Sequence, residues 1–161
     1  PPTLVSFAVD IAKSSDIITP EFKQAGNQII RFGIPKDAYD LPVYDEVLKV
    51  YSSIWELIQK GAIVSAYALD GKGVAAALSK MSFGNQMGVV VDETVKPEDL
   101  FAPQIGDIMV EIKCDSLDLI SIPYDIIGVV TDKESFSYKN MMISMEEAMT
   151  AWKEKLEKTL A

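Results

Sequence analysis

The chain has 161 residues, of which 48% are apolar, a length and composition that fit one folded domain and exclude a disordered segment. Its formal net charge of −9 argues against binding to nucleic acid or to an anionic membrane, because both interactions need a basic surface. It has no histidine and a single cysteine, which excludes a serine–histidine–aspartate triad, a histidine-ligated zinc site and an internal disulfide, and favours a cytoplasmic protein.

Two strands are predicted in the first part of the chain. Val5, Phe7, Val9 and Ile11 alternate with small or polar residues, which is typical of a strand with one buried face. A second strand is predicted over 28–32, where the apolar residues are followed by a glycine and a proline. Because no initiator methionine precedes these strands, we expect residues 1–161 to be a single domain of a larger enzyme.

Two helices are predicted next. Pro42 suits the first turn of a helix, and apolar residues recur at helical spacing over 43–58. A short apolar run over 62–67 leads into a glycine-bearing turn, Asp70–Gly73. The spacing of apolar residues predicts a second helix over 74–85.

The remainder of the chain is predicted to contain three strands and two helices. The predicted ranges are 87–91, 108–112 and 126–130 for strands and 96–101 for a short helix. Ser144 and Glu147 form the capping-box pattern that opens a final helix. The order of these elements predicts an α+β fold, in which helices pack mainly on one face of a mixed sheet.

The segment from Ser65 to Gly73 is the candidate site with the clearest chemistry. Glycines just before a helix let backbone N–H groups approach an anion at the positive helix end, and Lys72 would add a charge. The alternative is an ordinary turn in which Asp70 caps the helix start, and the local pattern alone favours it. The segment lacks the full signature of a P-loop. Cys114 has no histidine to act as its base, so it is predicted to be a buried, inert thiol.

The same segment carries a resemblance to a known family. Ser65–Tyr67, the glycine-bearing turn and the helix Val74–Asn85 resemble the C-terminal domain of the aminoimidazole ribonucleotide (AIR) synthase-like superfamily. Within it, the chain is most similar to the second such domain of the long-form phosphoribosylformylglycinamidine (FGAM) synthases. Pro2–Val9 resembles the opening strand of that domain and Ile127–Asp132 its late strand, so the resemblance covers nearly the whole chain.

This resemblance implies both a fold and a function. The fold is the AIR synthase C-terminal-like domain. The parent enzyme would be an ATP-dependent C–N ligase of the amidotransferase type. In de novo purine biosynthesis it converts formylglycinamide ribonucleotide (FGAR) to its amidine with ammonia from glutamine. The implied cofactors of that parent are ATP and magnesium, and neither is expected to bind tightly to the isolated domain. The implied partners are other domains of the same chain, namely N-terminal-type synthase domains and a glutaminase domain.

The candidate turn departs from the family's pattern, His-Asp-x-Ser-Asp-Gly-Gly, in which the first aspartate helps to ligate magnesium and the serine contacts the nucleotide. In this chain the histidine, the first aspartate and the serine of the pattern are replaced by Tyr67, Ala68 and Asp70. The glycine pair is reduced to Lys72-Gly73. The departure fits the second copy, for which the resemblance implies an auxiliary nucleotide site. The candidate nucleotide-binding residues are Ser65, Tyr67, Asp70, Gly71, Lys72 and Gly73, and the candidate metal ligand is Asp70.

The resemblance implies no catalytic residue within these 161 residues, so we expect the isolated domain to be inactive. The cysteine that releases ammonia belongs to the glutaminase domain of the family, and Cys114 does not match that site. The alternative function is a noncatalytic scaffold or interaction domain whose nucleotide site has decayed.

Overall fold

A seven-stranded mixed sheet forms the centre of the molecule. The computed structural model describes residues 3–9 and 11–160, with side chains to residue 154. The strands are β1 (Gln28–Phe32), β2 (Ile63–Ala68), β3 (Gly88–Val91), β4 (Ile108–Ile112), β5 (Asp125–Thr131), β6 (Ser135–Tyr138) and β7 (Met141–Ser144). Their order across the sheet is β2-β4-β1-β5-β3-β6-β7. Neighbouring strands pair antiparallel except β3 and β6, which are parallel.

In the described residues, four α-helices cover the two faces of this sheet. They are α1 (Tyr44–Gln59), α2 (Gly73–Asn85), α3 (Pro97–Phe101) and α4 (Met145–Leu160). Leu100 of α3 is buried in the same apolar cluster as α2, and the Trp152 ring of α4 lies 5.4 Å from the Phe83 ring of α2. Helix α1 packs on the opposite face, so the prediction of helices mainly on one face is confirmed. Among the described helices, none is long and apolar enough to cross a membrane.

The two apolar cores follow from the alternation of side chains along the central strands. In β1, Ile29 is buried against α2, whereas its neighbour Ile30 is buried against α1. In β4, Met109 and Val110 divide between the same two cores, and both are 0% exposed. Apolar residues on both faces make these strands recognisable in the sequence, although Arg31 interrupts the run in β1 and Glu111 the run in β4.

Most predicted elements lie where the periodicity places them. Strands β1, β3, β4 and β5 and helices α1, α2 and α3 match their predicted ranges to within a few residues. The Ser144 hydroxyl caps α4 by accepting a hydrogen bond from the Glu147 N–H over 3.1 Å. The apolar run over 62–67 is the edge strand β2, and the hairpin of β6 and β7 was not predicted.

The strand predicted from the alternation of Val5 to Ile11 is wrong for the described part of that segment. Residues 3–9 belong to no helix or strand, and Phe7 and Val9 are 88% and 95% exposed. Pro2 and Asp10 lie outside the described residues. An alternating segment becomes a strand only where a neighbouring edge accepts its hydrogen bonds, and neither edge of this sheet, β2 or β7, pairs with these residues.

A buried carboxylate holds the irregular segment before β1 against the sheet. Glu111, in β4, is 0% exposed and accepts four hydrogen bonds. The donors are the backbone N–H groups of Lys23 (2.8 Å) and Gln24 (3.0 Å), the side-chain amide of Asn27 (2.7 Å) and the hydroxyl of Ser65 (3.0 Å). These bonds replace the solvation that the carboxylate loses on burial, and they give the segment its position without regular secondary structure.

Candidate functional site

The candidate turn connects the end of β2 to the start of α2. β2 ends at Ala68 and α2 begins at Gly73, so the turn lies at one end of an edge strand. Ser65 lies within β2, is fully buried and donates its hydroxyl hydrogen to Glu111. The structure therefore buries Ser65 within the edge strand β2, whereas the other candidate residues lie at or beside the turn.

The Asp70 carboxylate organises the turn. Its Oδ1 atom accepts a hydrogen bond from the Lys72 N–H over 2.7 Å, and its backbone carbonyl accepts one from the Gly73 N–H over 3.3 Å. An aspartate that binds the backbone N–H two residues on forms an Asx-turn. The turn is thus an ordinary Asx-turn, but Asp70 is not the helix cap, since the N-cap residue of α2 is Lys72 and no side chain caps it. Two N–H groups near the helix start are already satisfied.

Gly73 allows helix α3 to approach the start of α2. Its φ is +70°, in the left-handed region that favours glycine. A Cβ atom at this position would lie 2.6 Å from the Ala102 carbonyl oxygen and 2.9 Å from the Leu100 carbonyl oxygen. These oxygens place negative partial charge beside the helix start, where an anionic ligand would have to bind. Gly71 and Lys72, in contrast, are exposed.

A lysine from the body of α2 also reaches the turn. The Lys80 ammonium donates a hydrogen bond to the Tyr67 hydroxyl and lies 5.0 Å from the centre of the Tyr67 ring. The same ammonium lies 3.7 Å from Asp70 Oδ2. The hydrogen bond to Tyr67 and, to a lesser extent, the Asp70 carboxylate raise the pKa of Lys80. Lys80 was not predicted from the sequence, although its place two helical turns after Gly73 puts both residues on one face of α2.

These residues do not fit a magnesium ion held by protein side chains. Mg²⁺ needs oxygen ligands in a nearly octahedral arrangement. Ala68, at the family's ligand position, has no side-chain oxygen, and the two Asp70 oxygens face the Lys72 N–H and the Lys80 ammonium. Within the ranges 3–9 and 11–160, no group of three or more acidic, histidine or cysteine side chains could hold a metal ion.

A cavity of about 500 Å³ opens beside the start of α2. Its polar lining includes Arg31, Thr94, Asp99, Tyr124 and Asp125. The Arg31 guanidinium lies 2.5 Å from Asp125 Oδ2 and 3.8 Å from Asp107 Oδ2, so two carboxylates balance its charge. Burial raises the pKa of Asp107, against the lowering effects of the Ile34 N–H and Arg31. A phosphate entering this cavity would meet a balanced to acidic lining, which does not favour an anion.

The prediction that Cys114 is a buried thiol is wrong. Cys114 is exposed at the start of a short 3-10 helix, Cys114–Leu119. β4 ends at Ile112, so the chain has already left the sheet before it reaches the cysteine. An apolar strand therefore predicts burial only up to its own last residue.

Comparisons with known proteins identify the fold. No family model matches the chain. Among solved structures, phosphoribosylformylglycinamidine synthase II from Thermotoga maritima superposes with a TM-score of 0.69 at 15% identity. The T. maritima PurL complexed with FGAR gives a TM-score of 0.68 at 14% identity over 84% of this chain and 30% of its own. The HypE–HypF complex gives 0.56 at 15% identity over 79% of this chain and 54% of its own.

The similarity covers most of this chain but a small part of the synthase. The match to the first of these structures covers 85% of the residues of this chain and 28% of the residues of the synthase. The shared features include the mixed sheet with helices that the resemblance implies. The chain therefore has the fold of part of phosphoribosylformylglycinamidine synthase II, which is the α+β fold that the sequence resemblance predicts.

Proposed function

We propose that the chain is one domain of a cytoplasmic FGAM synthase, the ATP- and glutamine-dependent ligase that converts FGAR to its amidine in purine biosynthesis. The observation that carries the proposal is the structural match to FGAM synthase II, which includes 85% of this chain but 28% of the synthase. The sequence pattern from Ser65 to Asn85 supports the same family independently of the fold. Catalysis needs oriented groups on both sides of a site, and this domain would supply one side of it.

The proposal assigns the chemistry to other domains of the parent enzyme. The T. maritima synthase has been solved with ATP and with FGAR, and we propose that the parent of this chain uses the same two compounds. Ammonia would come from a glutaminase domain, and N-terminal-type synthase domains would supply most phosphate contacts and hold magnesium. This domain would contribute one edge of an auxiliary nucleotide site, at Tyr67, Asp70, Gly71, Lys72 and Gly73 with Ser65 behind them in β2, and a neighbouring domain would complete it.

A noncatalytic scaffold role within the same enzyme is the second candidate, and the exposed flank of α1 favours it. Tyr44, Leu48, Tyr51 and Trp55 follow one another at helical spacing beside the buried stripe of that helix. All four are exposed, and Trp55 exposes 46% of its surface. Contiguous exposed apolar side chains usually mark an interface, so this flank offers a surface against which another domain of the parent could pack.

An activity assay tests the proposal on two proteins, the isolated chain and the product of the complete reading frame that contains it. With FGAR, ATP, Mg²⁺ and either glutamine or ammonia, we expect amidine from the complete protein and none from the isolated chain, because only the complete protein orients all reacting groups. Amidine formation by the isolated chain would show that it is more than a domain. An inactive complete protein would contradict the assignment to FGAM synthase.

Asp70→Ala in the complete protein separates the two candidate roles. A working auxiliary nucleotide site predicts a lower rate of amidine formation for this variant, whereas a scaffold role predicts an unchanged rate. Trp55→Ser is the matched comparison, since a scaffold role predicts weaker assembly of the domains when the exposed apolar flank of α1 is interrupted.

A further inference from the structure

The candidate turn contains a cation that the chain itself supplies, the Lys80 ammonium. Lys80 brings its ammonium to the Tyr67 hydroxyl by a hydrogen bond and to Asp70 Oδ2 at 3.7 Å. It also lies over the Tyr67 ring, at a distance where a cation is attracted by the face of the ring. The ammonium thus connects the last part of β2, the turn and α2.

The Lys80 ammonium beside Asp70 disfavours the binding of a divalent cation to the same carboxylate. The Asp70 carboxylate carries one negative charge, which the Lys80 ammonium already balances. A divalent ion bound to Asp70 would lie within a few ångströms of that ammonium and would be repelled by it. Ala68 offers no oxygen to offset the repulsion.

We propose that the Lys80 ammonium takes the place of a magnesium ion at this turn, holding Tyr67 and Asp70 together so that the turn keeps its shape without a divalent cation. The comparison with magnesium rests on the proposed function, whereas the contacts themselves do not depend on it. The turn is accordingly a metal-independent element, and a nucleotide phosphate bound beside it would meet an ammonium group and not a chelated metal.

Thermal unfolding of the 161-residue chain tests this proposal without any activity measurement. We expect millimolar MgCl₂ to leave the melting temperature equal to that in NaCl of the same ionic strength. Lys80→Met should lower the melting temperature by about 2–4 °C, because the turn loses its cation. Lys72→Met is the matched control, since Lys72 is an exposed lysine of the same turn, and its melting temperature should be unchanged.

A double variant tests the converse of the proposal, namely that the turn binds Mg²⁺ when the ammonium is removed and carboxylates are added. Lys80→Glu combined with Ala68→Asp removes the ammonium and surrounds the turn with carboxylates, so its melting temperature should rise when Mg²⁺ is added. Two results for the natural chain would overturn the proposal. One is a rise in its melting temperature with Mg²⁺ that Asp70→Asn abolishes, and the other is an unchanged melting temperature in Lys80→Met. Both can be measured even if the double variant fails to fold.

The same experiment distinguishes this proposal from the proposed function. A complete protein without synthase activity would leave the response of the isolated chain to Mg²⁺ unaffected, because the melting temperature does not depend on synthase activity. Conversely, selective stabilisation of the natural chain by Mg²⁺ would overturn the role of Lys80 while leaving the assignment to FGAM synthase in place.

Discussion

Replacing Glu111 with alanine should lower the free energy of unfolding by about 3–5 kcal/mol, because several buried donors would lose their acceptor at a cost of about 1–3 kcal/mol each. The carboxylate is 0% exposed and accepts hydrogen bonds from four donors. Without it, the N–H groups of Lys23 and Gln24 and the amide of Asn27 would be left without their acceptor at a site that water reaches poorly. Urea denaturation of the isolated chain, followed by circular dichroism, measures the change.

Ser65→Ala is the control for this variant, because it removes one donor and leaves the acceptor in place. We expect it to cost about 1 kcal/mol, the net contribution of a single hydrogen bond. If Glu111→Ala cost no more than Ser65→Ala, the carboxylate would not be the group that positions the segment before β1.

Gly88→Ala should destabilise the chain by about 3 kcal/mol or more, the upper part of the range for overpacking a close backbone contact. Gly88 begins β3, between β5 and β6 in the sheet. A Cβ atom there would overlap the Lys133 carbonyl oxygen and lie 2.5 Å from the Ser135 carbonyl oxygen. Because both obstacles are backbone atoms, the connection between β5 and β6 would have to move. Thermal and urea unfolding of the variant measure the loss.

Gly71→Ala is the matched control, since a Cβ atom at Gly71 would meet nothing within 4 Å. Its stability should stay within about 0.5 kcal/mol of the natural chain. Equal stabilities for Gly88→Ala and Gly71→Ala would mean that the backbone approach at β3 is not a constraint on the fold.

The parts of the fold that could be predicted from sequence are those whose apolar residues face the domain's own core. Ile29 and Ile30 are both fully buried on opposite faces of β1, which produces the apolar run seen in the sequence. The stripe of α1 that includes Val47 and Ile54 is buried at helical spacing in the same way. In these elements the periodicity and the burial have one cause.

The prediction errors arise in segments where the apolar pattern of the sequence does not correspond to burial in the domain's core. The alternation from Val5 to Ile11 looks like that of a core strand, but the pattern says nothing about which sheet supplies the neighbouring edge. The β6–β7 hairpin has the opposite problem, since β7 is exposed along its length and carries no alternation. The two strands of the hairpin are connected by Lys139-Asn140. Lys139 has a φ of +53°, which is typical of a tight turn.

The place of the candidate turn between a strand and a helix was predicted from the sequence, but its contacts were not. Tyr67 and Asp70 are adjacent to the glycine turn in sequence, and the structure keeps them there. Lys80 and Glu111 were missed because their partners are distant in sequence, and only the fold brings them together. Ser65 was included for its closeness in sequence to the turn, yet its side chain bonds to Glu111 in the sheet.

Calorimetric titration of the isolated chain with ATP and Mg²⁺ tests most directly whether these residues lack a metal–nucleotide site of their own and serve a larger enzyme. Ala68 supplies no ligand, Asp70 is occupied by Lys72 and Lys80, and carbonyl oxygens lie beside Gly73. We therefore predict a dissociation constant of about 1 mM or weaker, equivalent to no more than about 4 kcal/mol of binding free energy. A micromolar dissociation constant that requires Mg²⁺ would contradict the account.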